Sequence, residues 1–305
     1  MNITKISKFL MIELQSIIKR SCKNVFVYPK LPAVYNLGFI RYRGSGLANC
    51  LFIAARAYLL AHRNEWNLIN PTWNNLVLGP YLRYERDKRH YFGILKKTGI
   101  SGLLKLYYLF FTPTITIEDA INGKKGKIII DGLGNYFEDL IDEQKKLKVF
   151  IYSILQNKTL SSVEHIDFKN IIGIHIRLGD YPAEFRTSII WYEKVVKEII
   201  ANHASNYKFF IFSDGHDNEL QELLLLPQVE RVFFGNAISD IIALSKCKLI
   251  IGSDSTFTGW AAFLDQAPTV FPKKHFGKVL INHDHEFIED GDSEKLKKFL
   301  HTYLT

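Results

Sequence analysis

From residue 171 onward the sequence alternates short β-branched or aromatic runs with helix-length amphipathic segments, and this rhythm limits the fold more than any other feature. Ile171 to Ile176 reads as a buried strand, Ser188 to Ala201 as a helix and Lys208 to Ser213 as the next strand. Asp217 to Leu225 then reads as helix, Val229 to Phe234 as strand, Ser239 to Lys246 as helix and Lys248 to Gly252 as strand. Thr256 to Leu264 follows as helix and Thr269 to Phe271 as a last short strand, before a final helix over Ser293 to Tyr303. A βαβα order predicts a parallel sheet covered by helices on both faces.

The first half carries a weaker version of the same pattern. Asn36 to Tyr42 reads as a strand, Leu47 to His62 as a helix and Lys127 to Asp131 as a second strand, with a loop-rich basic stretch over 70–120 between them. Glu138 to Leu155 reads as a helix leading into the second half. Two domains are expected, 1–165 and 166–305, each Rossmann-like with a mainly parallel sheet. In such sheets ligands sit beyond the carboxyl ends of the strands, so the residues that follow each strand hold the candidate chemistry.

Composition excludes several classes. The 305 residues are 47% hydrophobic and 23% charged, without repeats or low-complexity tracts, which argues against disorder and solenoids. Cys22, Cys50 and Cys247 lie too far apart for a disulfide framework or the common zinc spacings, and this suits a reducing compartment. The first 20 residues are amphipathic, yet Lys5, Lys8 and Glu13 interrupt any signal-peptide core. No run reaches the roughly 18 apolar residues of a membrane span. A cytoplasmic protein is expected, with a peripheral position on the inner face of the membrane as an option.

The net charge of +8 suits nucleic acid, anionic lipid or phosphorylated small molecules. Basic residues concentrate in 81–105, where Arg83, Arg86, Lys88, Arg89, Lys96 and Lys97 alternate with Tyr81, Tyr84, Tyr91 and Phe92. This segment reads either as a solvated loop with snorkelling side chains or as a contact for a membrane surface or an anionic lipid-linked acceptor. No groove-binding motif accompanies the charge, so nucleic acid is not an expected partner.

Four strand ends carry polar, turn-forming residues. The first, Arg41 to Asn49, includes Gly44, Gly46 and Asn49, and its glycines let backbone N–H groups approach an anion at a helix start. The second is His175-Ile176-Arg177-Leu178-Gly179-Asp180-Tyr181. Positions i and i+2 of a strand face one side, so His175 and Arg177 project together. An arginine leaving a buried strand needs an anion, either Asp180 within the chain or a phosphate held by its fork. The third is Phe212-Ser213-Asp214-Gly215, where a carboxylate suits sugar hydroxyls or a base edge but also caps a helix. The fourth, Gly252 to Phe257, places Asp254, Ser255 and Thr256 at a helix N-terminus.

Taken in order, these segments resemble the motifs of the fucosyltransferase superfamily, most closely the α-1,2-fucosyltransferases of glycosyltransferase family 11 of the bacterial surface-polysaccharide (O-antigen) type. Gly46-Leu47-Ala48-Asn49-Cys50-Leu51-Phe52 stands for the family's Gly-Leu-Gly-Asn-Gln-Leu-Phe, and His175 to Tyr181 for its His-x-Arg-Arg-Gly-Asp-Tyr. Phe212 to Gly215 stands for Phe-Ser-Asp-Asp, and Asp254 to Ala262 for Asn-Ser-Thr-Phe-Ser-Trp-Trp-Ala-Ala. Leu178 replaces the second arginine, Ala48 a glycine, Cys50 a glutamine and Gly215 the second aspartate.

The resemblance implies a GT-B architecture and inverting, metal-independent transfer of L-fucose from GDP-fucose, the donor substrate, to a hydroxyl of an oligosaccharide or lipid-linked glycan. No cofactor is implied. The C-terminal domain would hold the GDP-sugar through His175, Arg177, Ser213, Asp214, Asp254, Ser255 and Thr256, and the N-terminal domain the acceptor. Arg177 would stabilise the leaving diphosphate, with Glu184 as the first candidate for general base and Asp180 as the second. Three alternatives remain at this point. One is a transferase using another nucleotide-sugar, and another is a binding protein on the same fold. The third is metal-dependent chemistry at Asp290-Gly291-Asp292, although His283 and His285 nearby read as a hydrated turn.

Overall fold

The computed structural model describes residues 24–203 and 207–304. The amphipathic reading of the first 20 residues, and Cys22, lie outside them. The chain divides into two compact units, the first made of 24–45, 50–74 and 97–132, the second of 46–49, 75–96 and 133–304. The expected boundary at residue 165 is thus displaced: 133–165 and two further segments of the first half cluster with the second unit.

In the first unit, strand β1 (Val25–Pro29) lies between β2 (Asn67–Leu68) and β3 (Gly126–Ile130), all parallel. All five residues of β1 are buried, as expected of a parallel strand covered on both faces. The strand expected over Asn36 to Tyr42 is instead an antiparallel hairpin that pairs Tyr35 with Tyr42 and Asn36 with Arg41. Gly38 reverses the chain at φ +83°, a conformation that favours glycine. Residues 50–64 of helix α1 (Leu47–Asn64) belong to this unit.

The stretch expected to be loop also contains helix α2 (Gly102–Phe111). Lys105 on this helix is buried, donates to Thr72 Oγ1 at 3.0 Å and lies over the Tyr28 ring. Burial pulls its amine down to about 7. One of the basic residues of 81–105 is therefore interior.

The second unit carries a six-stranded sheet in the order β9-β8-β7-β4-β5-β6, in which every neighbouring pair is parallel. Its strands are β4 (Ile171–Ile176), β5 (Lys208–Ser213), β6 (Val229–Arg231), β7 (Leu249–Ile251), β8 (Thr269–Phe271) and β9 (Glu286–Ile288). The last was not foreseen, because three residues between polar turns give no usable pattern. Helices α3 (Gln144–Ser153), α4 (Ile189–Asn202), α5 (Ala237–Ser245), α6 (Thr256–Asp265) and α7 (Ser293–Leu304) surround it.

Alternation along β4 sorts the two faces. Ile172, Ile174 and Ile176 enter a core with Val195 and Ile199 of α4 and Leu296 and Leu300 of α7. Gly173 faces α5, where a Cβ would fall 2.4 Å from Leu244 Cδ1, and His175 faces α6. From β4 the chain proceeds to β5 on one side, while β7 lies on the other, so the sheet changes direction beside β4. The carboxyl ends of β4, β5 and β7 flank that switch point, where open α/β sheets form crevices. Two Rossmann-like domains of α/β class result. Among the described residues, no helix is long and apolar enough to cross a membrane.

Candidate active site

A cavity of about 300 Å³ opens at this switch point, lined only by residues of the second unit. His175, Arg177, Ser213, Asp214, Asp254, Ser255, Thr256, Gly46 and Asn49 all line it. Four motifs far apart in sequence are thereby brought to one wall.

Ser255 caps α6 in extended conformation, its hydroxyl accepting from Phe257 N at 3.3 Å, and Thr256 Oγ1 donates to Asn49 Oδ1 at 2.9 Å. The helix therefore presents its N-terminal N–H groups and positive dipole end beside the cavity. The same helix is seated by Trp260, whose indole N–H donates to Ala48 O at 2.8 Å, and by Gly259, which lies against the Phe137 ring.

His175 is buried. Its Nδ1 lies 2.7 Å from Thr258 Oγ1 and 2.9 Å from Ser253 Oγ, and its ring stacks on Phe257 with centroids 4.5 Å apart. Burial, helped by the Arg177 charge, pulls its pKa down to about 3, so the imidazole is neutral at physiological pH. It is placed to shape the wall and accept or donate a hydrogen bond, not to supply charge.

Charge comes from an arginine cluster. Arg177 pairs with Asp214 through Nη1 and with Asp180 through Nη2. Arg89 reaches the same two carboxylates, with Nη1 2.8 Å from Asp180 Oδ2 and Nη2 3.5 Å from Asp214 Oδ2. Glu85 orients this second guanidinium through Oε2 at 2.6 Å and holds Arg83 Nε at 2.6 Å through Oε1. Asp214 also accepts from Leu178 N at 2.8 Å. Gly179 allows that approach, since a Cβ there would fall 2.5 Å from Asp214 Oδ2. The internal partner open to Arg177 is therefore taken, by Asp180 and also by Asp214, and both guanidiniums, partly desolvated at the cavity wall, would meet a phosphate group by exchanging a carboxylate for it.

Several expectations are corrected. The basic segment is not a free loop, because Arg83, Arg86 and Arg89 pair with Glu85, Asp217, Asp180 and Asp214. Glu184 is exposed on the short turn Ala183–Phe185 and does not line the cavity. Asp180 contacts both arginines without lining the cavity. Burial alone would raise its carboxyl, but the Arg89 hydrogen bond and the Arg177, Arg89 and Arg83 charges hold it down at about 2. Gly44 belongs to the first unit, where a Cβ would lie 2.0 Å from Arg41 Nη1, so packing explains it. Asp290 and Asp292 pair with Lys295 ahead of α7. Among the described residues, no cluster of three metal-ligating side chains occurs.

Among the cavity residues that sequence reasoning did not place in the site are Arg89, Asp87, Asp240 and His275. Asp87 accepts from Ala237 N at 3.0 Å and from Arg89 N at 2.8 Å, which ties the loop to the start of α5. Asp240 accepts from Phe234 N at 2.7 Å. Burial, helped by Asp87 and resisted by that N–H, pushes its carboxyl up to about 8. It stands protonated at neutral pH as a donor and acceptor.

Comparison with known proteins decides what this crevice belongs to. A family model described as Glycosyl transferase family 11 matches residues 131–297, more than half of the chain. The chain belongs to glycosyl transferase family 11. The matched span contains β4 through β9, so the family assignment and the arginine-bearing wall coincide. As a family 11 member the protein is a glycosyltransferase. Among solved structures it is similar to a NodZ α-1,6-fucosyltransferase soaked with GDP-fucose, at 18% identity and TM-score 0.52, over 80% of this chain and 92% of that one. NodZ from Bradyrhizobium matches at 16% identity and TM-score 0.50, over 80% and 93%. At these identities the likeness speaks for the fold. No curated protein sequence matches the chain.

Proposed function

We propose that this family 11 enzyme transfers L-fucose from GDP-fucose to a glycan hydroxyl with inversion at the anomeric carbon, forming an α-1,2 linkage in a surface polysaccharide. The observation that carries the donor reading is the convergence of Arg177 and Arg89 on Asp180 and Asp214 beside the α6 N-terminus. A nucleoside diphosphate supplies two adjacent phosphates, one for a guanidinium pair and one for a helix N-terminus. The neutral carboxyl of Asp240 is suited to a nucleobase edge, which offers both donors and acceptors. The NodZ structure above was soaked with GDP-fucose, which supports the same donor here.

In the reaction the bond from the sugar C1 to the β-phosphate oxygen breaks, and the electron pair leaves with GDP. Charge grows on the diphosphate as this happens, so Arg177, held at the cavity wall by Asp180 and Asp214 and partly desolvated, stabilises the transition state more than the ground state. Linkage and acceptor follow from the family resemblance. A lipid-linked acceptor would bring the enzyme to the inner face of a membrane. GDP release from GDP-fucose, GDP-mannose and UDP-sugars, with NMR of the product linkage, tests the proposal. Turnover of UDP-sugars alone would sink it.

A further inference from the structure

The cavity must also receive the proton that the acceptor hydroxyl sheds, and most of its titratable groups are engaged. Glu85 holds two arginines, Asp214 holds Arg177 and Arg89, and Asp87 accepts two backbone N–H groups. Asp240 already carries its proton at neutral pH, and the Nδ1 of His175 is engaged by two hydroxyls in a buried site.

His275 differs from all of these. Its ring lines the cavity and is 44% exposed, while its Nδ1 lies 2.6 Å from Asp254 Oδ1. The same oxygen accepts the His275 backbone N–H at 2.9 Å, so the carboxylate holds both backbone and ring. Tyr136 and Phe276 meet the ring edge-on at centroid distances of 5.5 and 4.9 Å, which fixes its plane. Burial opposes the Asp254 charge, but the His275 side chain and N–H overcome it and keep the carboxyl below its ordinary range. An ionised Asp254 accepts a hydrogen bond from Nδ1, so in the neutral form of the ring the lone pair belongs to Nε2. Asp254 also directly precedes the α6 cap, so the unit adjoins the helix N-terminus assigned to the diphosphate.

We infer that His275 is the general base of the transfer, oriented by Asp254 in the manner of a carboxylate–histidine pair. This rests on the donor reading above. As the acceptor oxygen bonds to C1 and the C1–phosphate bond breaks, Nε2 takes the hydroxyl proton and GDP leaves with the electron pair. Asp254 stabilises the imidazolium and remains ionised.

The test compares wild type, His275→Ala and Asp254→Asn for GDP binding by calorimetry and for GDP release from GDP-fucose, with water and lactose as probe hydroxyls. His275→Ala should bind GDP within about threefold of wild type, while turnover falls about a hundredfold or more. Added imidazole should restore part of that loss in His275→Ala but not in an Arg177→Ala control. Wild-type turnover by His275→Ala would overturn the inference, as would a parallel loss of GDP affinity, which would make His275 a donor ligand. A wild-type chain that binds no GDP would sink the donor reading instead. One that binds GDP but releases none from GDP-fucose or GDP-mannose would sink both.

Discussion

Arg89 Nη1 lies 2.8 Å from Asp180 Oδ2 although 91 residues of sequence separate them. Through this contact the loop 75–96 places a second guanidinium beside Arg177, which emerges from β4. The cavity wall thus combines one guanidinium fixed by a buried strand with one fixed by a loop and its buried Glu85.

Removing the strand cation should abolish turnover with little loss of fold. On the proposed reading Arg177→Ala deletes a preorganised donor to the leaving diphosphate, a change expected to cost about 3 kcal/mol of transition-state stabilisation, or a hundredfold or more in rate. Steady-state release of GDP, with circular dichroism to confirm folding, measures this. Wild-type turnover would remove the central role of the motif.

The loop cation should matter chiefly for donor affinity. Arg89→Ala is expected to weaken GDP binding by about 10- to 100-fold, because one charge-assisted pair to phosphate is lost and Asp180 loses a partner. Arg89→Lys should recover only part of the loss, since an ammonium cannot bridge two acceptors in fork geometry. Calorimetric titration with GDP distinguishes these outcomes, and unchanged affinity in Arg89→Ala would show the loop to be structural only.

Asp240 makes a pH-dependent prediction. Its folded-state pKa of about 8 lies above the ordinary value of 3.8. Its contribution to stability is therefore complete below about pH 4 and is lost as pH rises through about 8. Asp240→Asn keeps an oxygen for Phe234 N and removes the ionisation. The Tm gain of this variant over wild type should be near zero at pH 4 and largest at pH 8 and above, as read by differential scanning fluorimetry. A gain independent of pH would contradict the assignment.

Gly259 is held small by packing. A Cβ there would fall 2.5 Å from Phe137 Cε2, so Gly259→Ala should destabilise the second unit by about 1–3 kcal/mol. The midpoint of urea unfolding checks this. Any stabilisation would show that the ring yields, since alanine otherwise favours a helix interior over glycine.

Much of the second unit was legible because its strands are buried runs that end in cap residues, and both signals are local. β4, β5, β8 and the start of α6 fall where the pattern predicts them, with Ser255 as the cap. The first unit was harder. β1 ends on Pro29, and the Tyr35–Tyr42 hairpin looks continuous until Gly38 is seen to turn left-handed. Arg89 was hidden because its partners are distant in sequence and its neighbours are also basic. The local signs were Glu85 and Asp87, acidic residues set among Arg83, Arg86 and Arg89. His275 carried no motif, since its partner Asp254 lies 21 residues away and only the fold brings the two together.

Leu178, where the family motif carries its second arginine, turns into the Ile172–Ile176 core and is only 4% exposed. An arginine at this position would drive a charge into that packed layer, so the second cation has to come from elsewhere in the chain. The loop 75–96 then becomes the segment least tolerant of insertion or deletion, which reverses the usual freedom of loops to vary in length. Comparison of close homologues should show its length held constant wherever the leucine occurs.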